Sequence, residues 1–335
     1  MASPLLSFLT GRSPQRGVEM ITPRRTFAHV VLPPTTRRTL EEALAQVRNH
    51  ALIFTRWGLG ERHATGLGLA FNFAGPPGTG KTICAEAIAH ELGMPLLVVD
   101  YAEVESMWMG ETPKNIVAAF RAATEHKAVL FFDEADAIAA RRSTGVALPQ
   151  DREANMTVNV LLRELEAFNG VVIFATNLAA NFDPAFERRI RSHVRFEMPG
   201  PEERESIWKV QIHPTRTPLA DDVDFRALAE RHALSGGDIK NAVLKAASAA
   251  AAQTGPERSR RIHQHHFERA IDDVIEAKSV MQQSLFASAP SFHDPAVEAL
   301  RAFETRWRAV IFGALALAGA SLIAAVASLI VALAR

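Results

Sequence analysis

Cysteine is almost absent: Cys84 is the one thiol in 335 residues, so no disulfide can form within the chain and a small disulfide scaffold is excluded. A lone thiol also points to a reducing compartment. Net charge is absent too, because 37 Lys and Arg balance 37 Asp and Glu, which removes any global reason to expect a nucleic-acid partner. Gly, at 19, and Pro, at 18, are too ordinary for a collagen-like chain, and 48% hydrophobic residues are too many for a disordered one. No internal repeat of about 20 to 50 residues is present. One local absence stands out: no charged residue occurs from Ala309 to Ala334. A length of 335 residues suggests about two domains.

The chain opens on residues 1–27 with Arg12, Arg16, Arg24 and Arg25 against Glu19, which reads as a flexible basic arm. A mitochondrial transit peptide shares that composition, although Pro4, Gly11 and Pro14 interrupt an amphipathic helix. From Thr39, the spacing of Leu40, Ala43, Leu44, Val47, Ala51 and Leu52 predicts a helix. Strand-like runs then alternate with helical sequence at Leu69 to Ala74, Leu96 to Val99, Ala128 to Phe132 and Val171 to Ala175. Continuous apolar runs of this kind are expected of strands buried on both faces of a parallel sheet. The expected class is therefore α/β, a parallel sheet with helices on both faces, over residues 28–200. After Pro199-Gly-Pro201 the strand signal stops, and residues 201–281 read as a small helical domain. Residues 282–308, with Ser284, Ser288, Pro290, Ser291 and Pro295, read as a linker.

Gly75-Pro76-Pro77-Gly78-Thr79-Gly80-Lys81-Thr82 falls where a strand becomes a helix, the context a phosphate-binding loop needs. Glycines there let backbone N–H groups turn inward around a triphosphate, and the following helix offers its positive end to the same anion. Lys81 is expected to reach the β- and γ-phosphates, and the Thr82 hydroxyl to ligate Mg²⁺. Val129-Leu-Phe-Phe-Asp-Glu134 supplies the two carboxylates such a site requires: Asp133 on the metal side and Glu134 as general base. Residues 133–136 spell Asp-Glu-Ala-Asp, but a helicase of that type requires a second α/β domain, and here the chain turns helical instead. His263-Gln-His-His266 lacks the His-Glu-x-x-His pattern of a zinc protease and reads as a polar turn at a helix.

Taken together these motifs resemble the AAA ATPases of the AAA+ superfamily over roughly residues 28–280. The resemblance implies a P-loop NTPase fold with a helical lid, ATP and Mg²⁺ as ligands, and hydrolysis of ATP. Ala175-Thr-Asn177 is similar to the family's sensor 1, which implies that Asn177 helps position the lytic water. Phe182-Asp-Pro-Ala-Phe-Glu-Arg-Arg-Ile190 resembles the region carrying arginine fingers, which implies that Arg189 and Arg188, with Arg191 third, act on a neighbour's nucleotide. The common family pattern, Arg-Pro-Gly-Arg, is replaced here by Arg188-Arg189-Ile190-Arg191. Fingers acting in trans imply a homo-oligomer, a ring of six. Ser235-Gly-Gly-Asp-Ile-Lys-Asn241 resembles the lid motif beside the adenine, with Lys240 as the available cation, and Leu52 to Gly58 is expected to supply part of the adenine pocket. Ser106-Met-Trp-Met-Gly-Glu-Thr112 resembles the pore loop of protein-remodelling motors, which implies that Trp108 and Met109 grip an extended polypeptide. Residues 145–151 are a second polar segment that could line the same channel, and Trp108 could instead be a core aromatic.

Residues 309–334 would extend about 39 Å as a helix, enough to cross a hydrocarbon core of about 30 Å. Arg301, Arg306 and Arg308 precede that segment with Trp307 at its edge, which sets the ATPase on the cytoplasmic side of a single-pass anchor in membrane lipid. The expected protein is a membrane-anchored ATPase that remodels, unfolds or extracts a protein client, the alternative being an ATP-driven switch or scaffold that threads nothing.

Overall fold

A computed structural model of the chain describes residues 18–62, 68–100, 111–136, 139, 149–177, 183–254 and 256–287. The pore-loop residues Trp108 and Met109, the segment 309–334 and the first part of the basic arm lie outside the described residues.

Six strands form one sheet: β1 Val18–Ile21, β2 Leu69–Ala74, β3 Leu96–Asp100, β4 Val129–Asp133, β5 Val171–Thr176 and β6 Ser192–Arg195, in the order β1-β3-β4-β5-β2-β6. All neighbouring pairs are parallel except β1 with β3. Two expectations are corrected here. The sheet is mixed rather than wholly parallel, and the stretch expected to be a flexible arm over residues 1–27 contributes the antiparallel edge strand β1. Four residues of half-exposed pattern are too short to announce a strand; pairing to the backbone of β3, from Val18↔Val99 to Ile21↔Leu96, is what orders them. Strand β6 was likewise not predicted, since Ser192-His-Val-Arg195 holds one buried apolar residue and its order comes from pairing with β2.

Alternation along the strands divides the core in two. Phe71, Phe73, Val129, Phe131, Ile173 and Ala175 pack with Leu40 and Leu44 of α1 (Pro34–Arg48) and with Cys84 and Ile88 of α2 (Lys81–Glu91). Leu130, Phe132, Val172 and Phe174 point the other way, onto α3 (Glu111–His126) and α4 (Pro149–Ala167) through Ile116, Phe120, Leu161 and Leu165. Successive strand residues face opposite sides, so a run that must be apolar at every position reports two covered faces. Phe120, Phe132 and Phe174 form an aromatic row, the last pair stacked at 5.3 Å.

Beyond Pro201 come α5 (Pro201–Gln211), α6 (Phe225–Arg231), α7 (Gly236–Ala251) and α8 (Gln264–Ala287), the last running past residue 281 into the expected linker. Trp208, Leu228, Ile239, Phe267 and Ile271 make a third apolar cluster drawn from all four. The buried Arg204 guanidinium donates to the carbonyls of Ala229, at 2.6 and 2.8 Å, and Pro199, at 2.6 Å, tying α5 to α6 and to the chain before it. Ser235 caps α7 in a reciprocal box: its Oγ accepts from Asp238 N at 3.2 Å while Ser235 N donates to the Asp238 carboxylate at 3.0 Å. The chain divides into two compact units, one up to Val274 and one from Ile275, and the sheet and the helices up to α7 all belong to the first.

At the start of α8, His266 is buried and its Nδ1 accepts from the backbone N–H of His263 at 2.9 Å. Burial, followed by the neighbouring His265 and His263, holds its pKa below the ordinary 6.5, with Asp222 acting the other way. A base whose folded-state pKa lies below its unfolded one adds nothing where both states are neutral. It costs stability as pH falls through the unfolded value, because the unfolded chain takes the proton first. His266→Gln is therefore expected to flatten the loss of stability between about pH 6.5 and 5, measured as urea midpoints. An equally steep decline in the variant would assign the titration to another group.

Candidate functional site

The loop that follows β2 is shaped by close approaches that exclude side chains. A Cβ at Gly75 would lie 2.0 Å from the Phe196 carbonyl oxygen, and one at Gly78 would meet Ser235 Oγ at 2.7 Å. Gly78 and Gly80 also hold φ values of +75° and +98°, where only glycine is unstrained. Gly80 precedes α2 without any side-chain cap, so the first N–H groups of that helix are left for an anion. Pro76, Pro77 and Thr79 complete the loop, and Thr79 Oγ1 closes it by donating to Pro76 O at 2.8 Å.

Lys81 is buried, and its ammonium donates to the carbonyls of Gly75, at 2.7 Å, and Pro76, at 2.9 Å, and to Asn177 Oδ1 at 2.9 Å. Burial pushes its pKa below the ordinary value, opposed by the charges of Asp133 and Asp136. Thr82 Oγ1 donates to Asp133 Oδ2 at 3.3 Å. The sequence-predicted residues from the loop, β4 and β5 are thus brought together, for a topological reason. β5 lies between β2 and β4, so the carboxyl ends of three adjacent parallel strands open on one crevice. Glu134 takes φ of +50° immediately after β4, and its N–H donates to Asp133 Oδ1 at 3.0 Å. A left-handed non-glycine residue costs of order 1–2 kcal/mol, and such strain gathers where a side chain must be aimed.

These residues line a cavity of about 330 Å³, within the ordinary range for small-ligand sites. The lid motif reaches it through Gly236, Gly237 and Lys240, and the Gly237 N–H donates to Gly78 O at 3.0 Å. The expectation for Leu52 to Gly58 is corrected: the cavity wall upstream of the loop is His29, Val30 and Val31, while Ile53 and Phe54 border a different surface groove. Leu52 to Gly58 precedes the loop in sequence but carries no specific signal, whereas the short apolar run Val30-Val31-Leu32 before Pro33 and Pro34 marks the wall that is present. Ile207, Gln211 and Asp136 were also missed, the last accepting from Asn177 N at 3.4 Å.

Arg188, Arg189 and Arg191 are not at this cavity. They border another of about 200 Å³ with Gly68, Leu69 and Gly170, at the amino ends of β2 and β5. A strand of six residues, about 20 Å long, separates that end from the phosphate loop. Arg189 is engaged there: its Nη1 donates to Ala185 O at 2.8 Å, its Nη2 pairs with Glu166 at 2.5 Å, and its buried Nε finds no acceptor among the described residues. Arg188 is exposed and pairs with no described carboxylate.

The empty first turn of α2, the glycine cradle and a buried ammonium fit a nucleoside triphosphate, and the Thr82 hydroxyl beside Asp133 fits Mg²⁺, a cation that prefers oxygen ligands. Residues 71–199 match the family described as ATPase family associated with various cellular activities (AAA). The matched segment contains the glycine loop, β4 and β5. It is 35% identical over 271 residues to the ATP-dependent zinc metalloprotease FtsH 3 of Sphaerobacter thermophilus, an alignment covering 79% of this chain and 53% of that protein. It is 33% identical over 289 residues to the ATP-dependent zinc metalloprotease FtsH of Syntrophotalea carbinolica, covering 82% and 43%. With the mitochondrial inner membrane m-AAA protease component AFG3L1 of Mus musculus the identity is 34% over 233 residues, covering 66% and 29%. The chain thus spans about half the length of the first of these relatives and less of the others. The family match and these relatives support ATP hydrolysis, with ATP and Mg²⁺ as its requirement.

Gly78→Ala is expected to weaken ATP binding by about tenfold or more, through a strained φ and a collision with Ser235. Gly93, at φ +65° with open space within 4 Å of where a methyl would stand, is the control for strain alone. Equal effects of Gly78→Ala and Gly93→Ala on calorimetric ATP affinity would remove the lid contact from the explanation.

Proposed function

We propose that this chain is a membrane-anchored AAA ATPase that assembles as a ring of six and uses ATP hydrolysis to remodel, unfold or extract proteins. The observation that carries the reading is the separation of two half-sites on one chain, the Lys81, Asp133, Glu134 and Asn177 cluster at one end of the sheet and the arginines at the other. An arginine a strand's length from its own phosphate loop can act only on a neighbour's nucleotide.

In this reading the backbone N–H groups from Gly75 to Thr82 and the Lys81 ammonium hold the β- and γ-phosphates. Thr82 and Asp133 hold Mg²⁺, which supplies neutralising charge on the phosphate oxygens. Glu134 accepts a proton from the water whose oxygen attacks the γ-phosphorus, while the bond from that phosphorus to the bridging oxygen breaks and ADP leaves. Asn177, already bonded to Lys81, orients that water. Arg188 of the adjoining copy neutralises the charge that develops on the transferring group. Arg189 serves as second finger only after leaving Glu166, which is why Arg188 takes the leading role.

The mechanical part rests on Trp108 and Met109, whose flat aromatic and pliable thioether suit a grip indifferent to client sequence. Residues 309–334 serve as the anchor, with the ATPase on the cytoplasmic side. Among the described residues no helix is long and apolar enough to cross a membrane. The relatives' names describe proteases, but these 335 residues contain no His-Glu-x-x-His, so the reading stops at remodelling.

Glu134→Gln should bind ATP and lower turnover by about 100-fold or more. Arg188→Ala should do the same alone but regain activity when mixed with Glu134→Gln, since a mixed interface pairs an intact carboxylate with an intact arginine. Additive inactivity in the mixture would refute action in trans. Trp108→Ala should retain most ATPase activity and lose work on an unfolded-protein substrate; unchanged work would favour a switch that threads nothing. Removal of residues 309–335 should move the protein from the membrane to the soluble fraction of a cell lysate, and retention on membranes would refute that anchor.

A further inference from the structure

The nucleotide cavity has two chemically distinct ends. Lys81, Asp133, Glu134 and Asn177 are joined through mutual hydrogen bonds or adjacent backbone, and mark where the γ-phosphate lies. Val31, Thr79, Ile207 and Gly236 border both this cavity and an adjoining crevice that none of those four touches, which sets Val31 and Ile207 at the far end. An apolar end facing Val30, Val31 and Ile207 suits the flat face of a base.

His29 lines the cavity beside that apolar pair. It closes a one-turn 3₁₀ helix, Phe27–His29, in a reciprocal capping box with Thr26. Its Nδ1 accepts from Thr26 N at 3.1 Å and lies 3.0 Å from Thr26 Oγ1. A neutral imidazole whose Nδ1 accepts carries its proton on Nε2. The turn therefore fixes the tautomer and offers one N–H, which has no acceptor among the described residues. The segment is itself held in place: Glu86 on α2 accepts from the backbone N–H groups of Arg24, at 2.8 Å, and Arg25, at 3.0 Å. The carboxylate that grips the approach to His29 thus belongs to the same helix whose first turn faces the phosphates, so both ends of the cavity are referred to one rigid element.

We propose that His29 reads the nucleobase, its Nε2–H donating to a ring nitrogen of the bound purine. The proposal rests on the reading of this cavity as the ATP site. It makes affinity for the base depend on a side chain, placed by the turn at residues 26–29, that no phosphate contact requires.

The test is calorimetric titration of the full chain, carrying Glu134→Gln to prevent turnover, with ATP, with tripolyphosphate, and with 1-deaza-, 3-deaza- and 7-deaza-ATP. His29→Ala should weaken ATP by about three- to tenfold, the range of one neutral hydrogen bond, and leave tripolyphosphate unchanged. His29→Gln, which restores an N–H donor, should recover part of the loss. One deaza analogue should bind the parent as weakly as ATP binds His29→Ala, and lose nothing further in that variant. Equal losses for ATP and tripolyphosphate, or further losses for all three analogues in His29→Ala, would overturn the proposal while the ATP site stands. A parent that binds neither ATP nor tripolyphosphate would overturn both.

Discussion

A buried ammonium is the constraint on which the site depends. Lys81 leaves water, and the cost of removing a charge from solvent is met by three oxygens: two carbonyls of its own loop and Oδ1 of Asn177, the residue after β5. That arrangement locks the loop to the end of a different strand. The lowered pKa of Lys81 is the mark of its burial, and Asp133 and Asp136 are the counterweights that favour the cation. Because β5 runs between β2 and β4, one side chain on the helix after β2 can touch the residue that follows β5 and sense the carboxylates of Asp133 and Asp136 at the end of β4 and beyond it. Parallel order in the sheet is thus what turns three separate sequence motifs into one site.

A second constraint is steric. The loop must pass close to the backbone after β6 at Gly75 and close to the lid at Gly78, and neither passage leaves room for a Cβ. The lid helix α7 starts with a buried Ser-Asp box whose Ser235 faces Gly78, while Gly237 donates to the Gly78 carbonyl. The phosphate loop and the lid are therefore in direct backbone contact. The position of the loop and that of the lid are tied to each other through that contact.

Much of the site was readable from order alone. The glycine loop, the apolar run ending in Asp133-Glu134 and the strand ending before Asn177 each carry a local signal, because each combines continuous apolarity with residue types that the chemistry demands. The four core strands were readable for the same reason: burial on both faces leaves no polar positions. β1 and β6 were not readable, because each is short, half-polar and ordered by its neighbour's backbone rather than by its own side chains. His29, Gln211 and Ile207 carry no motif, and they matter only because distant segments meet at one cavity.

The sequence by itself determined the residue types available: a glycine-rich loop before a helix, a lysine, two carboxylates, an asparagine after a strand and a set of arginines. Only the tertiary structure decided which of these share a site. It brought Lys81, Thr82, Asp133 and Asn177 within hydrogen-bonding reach, engaged Arg189 with Glu166 while leaving Arg188 exposed, and set the arginines at the opposite end of the sheet. The physical reason is that residue type is a local property of the chain, whereas strand order and the direction in which each strand runs are settled by packing over the whole sheet.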